Sequence, residues 1–357
     1  MNQIWNDLKT VRLDEASGAV LILDQTRLPG ERTYAALRTK EEIWEAIFRL
    51  KVRGAPAIGV TAAYGIYVCC LPYASEPFDA FYRQFRVISE YLASSRPTAV
   101  NLQAALDRME RCVLSLRGCP APELLAAMRD EAQAIRDEDA AACRSIGEHA
   151  LSLLKPGMGL LTHCNAGHLA VSEYGTALSP VYLGQQRGYG FRVFADETRP
   201  LLQGARLTAY ELQCAGVDVT LICDNMASVV MSKGWVQAVL VGCDRVAANG
   251  DTANKVGTSA VAILARHYGI PFYVLGPTST IDMDCPSGER IVIEERDPSE
   301  VTDLWYARRM APEGVKVYNP AFDVTPNGLI TAIVTEKGIA RAPFGDSFAR
   351  WTGRGAG

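Results

Sequence analysis

In the stretch LLTHCNAGHLA, residues 160–170, a thiol and a carboxamide stand where an apolar run gives way to small residues. Leu160 and Leu161 read as the end of a buried strand, Asn165-Ala166-Gly167 as a tight turn, and Cys164 falls at the seam. A cysteine ahead of a turn and a helix start is expected to have its thiol pKa lowered by the helix dipole, which suits a base or nucleophile. A cysteine among apolar residues is also an ordinary small hydrophobe, so position alone gives Cys164 no chemical role. Three further seams carry polar groups. In ADETRPLLQGARLTAYEL (195–212), Asp196 and Glu197 close a strand, Pro200 suits the first turn of a helix, and Gln203 and Arg206 fall within its first turns. That set equally describes a salt-bridged cap. In CDNMAS (223–228), helix capping alone accounts for Asp224. In VLVGCDRVAANGDTANKVGTSA (239–260), Asp244 directly follows an apolar run and is expected at the carboxyl edge of a sheet. Asn249-Gly250-Asp251 is a turn, and Asp251 or Thr252 would cap a helix carrying Asn254 and Lys255. A polar loop this long exceeds what a bare connection needs.

A fifth candidate, KVRGAPAIGVTAAYG (51–65), suits anion binding. Gly54 and Ala55 leave backbone amides uncrowded, Pro56 fits the first helical position, and Arg53 adds a positive charge, together a phosphate cradle at a helix N-terminus. Gly-Ala-Pro is also a common plain helix start. No Gly-x-Gly-x-x-Gly follows a strand and no Gly-x-x-x-x-Gly-Lys-Ser/Thr occurs, which disfavours dinucleotide and P-loop chemistry. His149, His163, His168 and His267 lack zinc-ligand spacing, and no Cys-x-x-Cys pair is present, so no metal site is expected.

The elements that must position these groups fall into two regions. From Val11 to about Thr33 the pattern is strand-like around AVLILDQ, then EEIWEAIFRL (41–50), FDAFYRQFRVISEYLASS (78–95) and VNLQAALDRMERCVLSL (100–116) carry helical periodicity. The segment from Pro122 to about Leu154, with no internal proline, reads as one long helix. Beyond Pro156-Gly157, continuous apolar runs (GLLTH, FRVFADE, DVTLIC, QAVLVGC, PFYVLG) alternate with helix-like segments, the pattern of a parallel sheet covered on both faces. The expected class is α/β: residues 1–155 a mainly helical N-terminal domain with a small strand region and a phosphate-binding loop, residues 156–357 a doubly wound, mostly parallel Rossmann-like catalytic domain. Ligands of such sheets bind beyond the carboxyl ends of the strands, where the four seams fall.

Composition narrows the function classes. The 357 residues are 48% hydrophobic and 21% charged with a net charge of −4, ordinary for a globular protein and without the basic field that draws nucleic acid. The N-terminus, MNQIWNDLKTVRLDE, lacks a basic segment leading into an apolar one and is expected not to be a secretory signal. No uninterrupted apolar run is expected to approach the length needed to span a bilayer. Ten scattered cysteines suit free thiols in a reducing cytoplasm.

Taken together, RGAPAIG, RPTAVNL (96–102), HCNAG, DETRPLLQGARLTAYEL, VGCDRVAANGDTANKVGT and NPAFDVTP (319–326) resemble, in the same order, the motifs of the S-methyl-5-thioribose-1-phosphate isomerases of methionine salvage. The resemblance runs from about residue 11 to about 345; the wider family includes ribose-1,5-bisphosphate isomerases and regulatory subunits of the translation-initiation guanine-nucleotide exchange factor. Departures are Cys243, where the family usually has alanine, and SPVYLGQQRGYG (179–190). The resemblance implies that Cys164 and Asp244 are the catalytic pair, and that Arg53, Gly54, Ala55, Arg96, Gln203, Asn254 and Lys255 hold the sugar phosphate. It also implies aldose–ketose isomerisation with no metal or organic cofactor, and a homodimer. A buried Asp244 with its pKa raised by desolvation would be the acid at the ring oxygen. Sister isomerases of 5-deoxyribose 1-phosphate or ribose 1,5-bisphosphate, and a non-catalytic sugar-phosphate-binding regulatory subunit, are the alternatives.

Overall fold

The computed structural model describes residues 8–97 and 99–353. Residues 1–7, which open the stretch expected not to be a secretory signal, and Thr98 of RPTAVNL lie outside that set. The described residues divide into two compact units, one of residues 8–142 with His168–Gly175, the other of Cys143–Gly167 and residues 176–353.

The first unit opens on an antiparallel sheet of β1 (Val11–Asp14), β2 (Ala19–Leu23) and β3 (Tyr34–Leu37), with Val11 opposite Ile22 and Val20 opposite Leu37. Helices α1 (Lys40–Phe48), α2 (Ala55–Cys70), α3 (Phe78–Ala93) and α4 (Val100–Ser115) follow where the periodicity predicts them. Thr39 caps α1 in a capping box with Glu42, which satisfies backbone donors at both ends of the exchange. Along α3, Phe81, Phe85, Ile88 and Leu92 recur at three- and four-residue spacing and are the buried face, each contributing about 1.5–3 kcal/mol by burial. The stretch Ala55–Tyr73 is 19 residues long with mean hydropathy 1.5, enough by length and composition to cross a membrane, contrary to the expectation of no such run. Yet 72% of its most apolar window is buried inside the molecule, and α2 is the helix around which the core of this unit is built. The segment that begins at Pro122 is one helix, α5 (Ala121–Leu151), whose residues from Cys143 onward belong to the second unit.

In the second unit the strands are, in chain order, β4 (Gly159–Thr162), β5 (Arg192–Asp196), β6 (Asp218–Ile222), β7 (Ala238–Val241), β8 (Arg245–Ala247), β9 (Thr252–Lys255), β10 (Phe272–Leu275), β11 (Ile281–Asp282), β12 (Phe322–Thr325), β13 (Ala332–Thr335) and β14 (Gly338–Ala340). A seven-stranded sheet has the order β14-β13-β10-β7-β4-β5-β6, parallel except for β14. β4, β7, β10 and β13 are buried at every residue, as their continuous apolar runs predict. The helices are α6 (Ser179–Gln186), α7 (Ala209–Cys214), α8 (Ala227–Ser232), α9 (Thr258–His267), α10 (Ser299–Thr302) and α11 (Gly345–Thr352). The chain winds outward from β4 through β5 to β6, then returns to β7 on the other side of β4. The doubly wound α/β class is therefore as expected, with its topological switch point between β4 and β7.

Two local readings are overturned. Asn254 and Lys255 are not on a helix: Arg245–Ala247 and Thr252–Lys255 pair antiparallel across the Asn249-Gly250-Asp251 turn, and β12 and β11 complete a second, four-stranded sheet. The helix begins only at Thr258, after Gly257 at φ 104. Nor does Pro200 open a helix: Thr198 and Leu202 hold positive φ of 66 and 54, so the chain there turns in a loop. Helical geometry begins around Gln203 with a π-helical turn over Gly204–Thr208 that leads into α7.

Candidate active site

Cys164 and Asp244 stand just beyond the carboxyl ends of β4 and β7, which are neighbours in the sheet with Leu160 opposite Ala238 and Leu161 opposite Val239. One residue, His163, separates Cys164 from its strand, and two, Gly242 and Cys243, separate Asp244 from its own. Cys164 is partly buried and holds φ 66, a left-handed conformation uncommon for a side chain with a Cβ. Two threonines brace it: its N–H donates to Thr198 Oγ1 at 2.9 Å, and its carbonyl accepts from Thr208 Oγ1 at 2.6 Å. No α-helix starts at Cys164, so the expected dipole argument for an acidic thiol does not apply. Asp244 is exposed, which corrects the expectation of a carboxyl desolvated by the protein itself. It lies past the sheet edge, with its backbone N–H tied to Ala253 O at 2.9 Å.

Beneath Cys164 is a polar network that spacing alone does not reveal. His163 is 1% exposed; its Nδ1 lies 2.9 Å from Asp196 Oδ2 and its Nε2 2.9 Å from Val256 O. Burial works against charge on His163, but the Asp196 carboxylate, Asp224 and the Val256 carbonyl outweigh it and raise its pKa. Burial also pushes Asp196 up to about 6, with His163 pulling the other way. Asp196 thus pairs with a histidine rather than with an arginine cap. Asp224 caps no helix of its own: Oδ1 accepts from Thr198 N–H and Oδ2 from Arg199 N–H, each at 2.7 Å, fixing the loop after β5. Under the HCNAG turn, fully buried Glu211 accepts from Asn165 Nδ2 and, at 2.7 Å, from Tyr182 OH. Gly167 lies against that carboxylate, with no room for a Cβ.

Gln203 is buried and its Oε1 has no hydrogen-bond partner, so an acceptor is available on the loop that meets Cys164. Arg206 instead stacks over Trp305, 4.7 Å from the ring centroid. Asn254 and Lys255 are both buried, and as neighbours in a strand they project to opposite faces. Asn254 Nδ2 donates to Thr258 Oγ1 at 3.0 Å, while Lys255 Nζ donates to Ala321 O at 2.9 Å above the Phe322 ring. His163, Asp196 and Asp224 bring three potential metal-ligand atoms within 4.8 Å of one another. Both His163 nitrogens and both Asp224 oxygens already have protein partners at hydrogen-bond distance, so the cluster is built as a hydrogen-bonded network.

In the other unit, Gly54 is the N-cap of α2 at φ 91, and Pro56 is the second helical residue rather than the first. A Cβ on Gly54 would collide with the Ala170 backbone, so the position requires glycine for space as well as for conformation. Gly59 packs on the Asn101 backbone, which draws together the starts of α2 and α4. Arg53 and Ala55 flank Gly54 at the first start, and Arg96 precedes the second, with its carbonyl accepting from Ala99 N–H at 3.0 Å.

The fold and site define a doubly wound α/β protein with a thiol and a carboxylate at its switch point. The chain belongs to the Initiation factor 2 subunit family, whose model matches residues 51–342. It is 72% identical over 329 residues to a methylthioribose-1-phosphate isomerase of Parabacteroides distasonis, covering 92% of this chain and 98% of that one. It is 58% identical over 340 residues to a 5-deoxyribose 1-phosphate isomerase of Petrotoga mobilis, covering 95% and 98%. The crystal structure of 5-methylthioribose 1-phosphate isomerase from Pyrococcus horikoshii OT3 superposes with a TM-score of 0.93 at 40% identity, over 99% of each chain.

Proposed function

We propose that this chain is an aldose–ketose isomerase that converts S-methyl-5-thio-α-D-ribose 1-phosphate to S-methyl-5-thio-D-ribulose 1-phosphate in methionine salvage. The observation that carries the reading is the placement of Cys164 and Asp244 at the ends of neighbouring parallel strands at the switch point, in a chain 72% identical to an isomerase of that name. A non-catalytic binding subunit has no use for an acid and a thiol held there.

The chemistry asks for both groups. The anomeric oxygen is esterified, so the ring cannot open by ordinary mutarotation. Asp244 protonates the ring oxygen as its bond to C1 breaks. Hydrogen then leaves C2 as a proton to Cys164, which returns it to C1, or it moves from C2 to C1 as hydride with Cys164 stabilising developing charge; in either route the C2 hydroxyl gives its proton back to the Asp244 carboxylate and a ketone is left at C2. Because Asp244 is exposed in the free chain, the desolvation that would raise its pKa comes from the substrate seated over it. Arg53, Gly54, Ala55, Arg96, Gln203, Asn254 and Lys255 are proposed to hold the sugar phosphate, Lys255 with ammonium protons beyond the one given to Ala321. No metal or organic cofactor enters this route.

The 5-deoxyribose reading is the second, favoured by the Petrotoga mobilis relative. An apolar pocket separates methylthio from methyl by only about 1–3 kcal/mol, so overlap is expected. None of the ten cysteines is in a disulfide, which supports a cytoplasmic setting, and a homodimer is proposed with it. Assay of purified protein against the methylthio, 5-deoxy and 5-phospho sugar phosphates tests the proposal: highest kcat/KM on the methylthio sugar is expected, and turnover of none of them contradicts it.

A further inference from the structure

Two buried histidines differ in what their rings face. His168 Nε2 meets the Leu8 carbonyl while Nδ1 accepts from Tyr174 N–H at 3.2 Å, so a single ring proton satisfies it. Burial accordingly lowers its pKa to about 4. His163 faces an acceptor on each side, Asp196 Oδ2 and Val256 O, both at 2.9 Å. A backbone carbonyl cannot donate, so the His163–Asp196 pair holds one proton more than a neutral imidazole beside a carboxylate. Three carboxylates act on the ring: Asp196 at the end of β5, Asp224 after β6, and Asp323 on β12. Asp323 is itself anchored by the Gly257 and Ser259 N–H groups at 2.7 and 3.1 Å.

The ring also ties together the segments that carry the candidate residues. Through Asp196 it reaches the loop after β5, where Thr198 Oγ1 donates to Asp196 O at 3.0 Å and accepts from Cys164 N–H at 2.9 Å. Through Val256 O it reaches the residues that follow Asn254 and Lys255. Gly257 closes against the ring, where an added Cβ would stand 2.7 Å from Cε1.

We propose that His163 is a positioning residue for Cys164: doubly protonated at neutral pH, it pins the left-handed Cys164 turn and places a positive charge one residue from the thiol. The inference rests on Cys164 being the reactive thiol of the proposed isomerase. It separates His163 from the His168 type of buried histidine by charge state.

Nitrogen-15 NMR of wild-type protein labelled at histidine reads that state directly. One histidine, identified by its loss in His163→Gln or, if that variant does not fold, by exclusion with variants of the other three, is expected to keep protons on both ring nitrogens from pH 6 to 8. His168 supplies the singly protonated reference. A singly protonated His163 ring overturns the inference. In folded His163→Gln, the midpoint of Cys164 alkylation against pH is expected to rise by about one unit, with kcat at pH 7 falling about tenfold and KM within about twofold. Loss of kcat with an unmoved alkylation midpoint also overturns it, since packing alone would then explain the loss. Failure of the isomerase reading shows up elsewhere, as turnover of none of the three sugar phosphates by the wild-type protein, and leaves the nitrogen measurement untouched.

Discussion

Cys164 and Asp244 leave the carboxyl ends of β4 and β7, which run parallel and adjacent with Leu161 opposite Val239, at the point where the order of the sheet reverses. Eighty residues of sequence separate the two, and the winding of the sheet brings their strands side by side. The reactivity expected of each then depends on its surroundings. Limiting iodoacetamide is expected to modify Cys164 first and inactivate the enzyme, with substrate protecting. Three competitors are poorly placed: burial pushes the Cys69 and Cys243 thiols up to about 12. Exposed Cys223 is raised chiefly by the Glu197 carboxylate. Peptide mapping at half-inactivation checks this; activity loss tracking another cysteine while Cys164 stays free contradicts it.

Gly257→Ala is expected to destabilise the protein by about 1–3 kcal/mol from backbone strain, and by more as the methyl meets the His163 ring. The backbone holds φ 104 and the Cβ would stand 2.8 Å from Nε2. Gly269→Ala, at φ 69 with open space around it, isolates the backbone share and is expected to cost less. Denaturant midpoints of the two variants make the comparison, and equal losses would mean that the ring contact contributes nothing.

His168 predicts a pH dependence of stability. Burial lowers its folded pKa to about 4 from an ordinary 6.5, so the unfolded chain binds the proton more readily between those values. Its contribution is therefore present above pH 6.5 and is lost as pH falls toward 4, amounting to about 3 kcal/mol at most. Urea unfolding at pH 7.5 and 4.5 should show a drop that is smaller in His168→Gln. An equal drop in that variant would remove His168 from the account.

Arg53→Ala is expected to raise KM about tenfold or more with kcat little changed, because an anchor of the phosphate binds ground and transition states alike. Steady-state kinetics on the methylthio sugar phosphate decides it. A fall confined to kcat would put Arg53 in the chemistry instead.

Much of this was legible in the sequence. Continuous apolar runs mark strands buried on both faces, and GLLTH and QAVLVGC place Cys164 and Asp244 at strand ends before any contact is known. Gly54 owes its identity to the Ala170 backbone as well as to its positive φ, a tertiary reason that local sequence does not contain. Asn254 and Lys255 are misplaced on a helix because TANK is polar and follows a residue that caps well. Asn249-Gly250, a strong hairpin signal, was the better cue. His163 carries no local signal at all: its meaning lies in Asp196 and Val256, 33 and 93 residues away. The exposure of Asp244 is likewise tertiary, since an apolar run predicts the strand it follows but not what covers its end.

The most direct test is the kcat of Cys164→Ser and Asp244→Asn on S-methyl-5-thioribose 1-phosphate, with folding checked by circular dichroism. Groups positioned to move protons contribute about 10²–10⁴-fold, and each variant is expected to lose that much turnover while remaining folded. Near wild-type kcat in either folded variant would contradict the assignment of Cys164 and Asp244 as the catalytic pair.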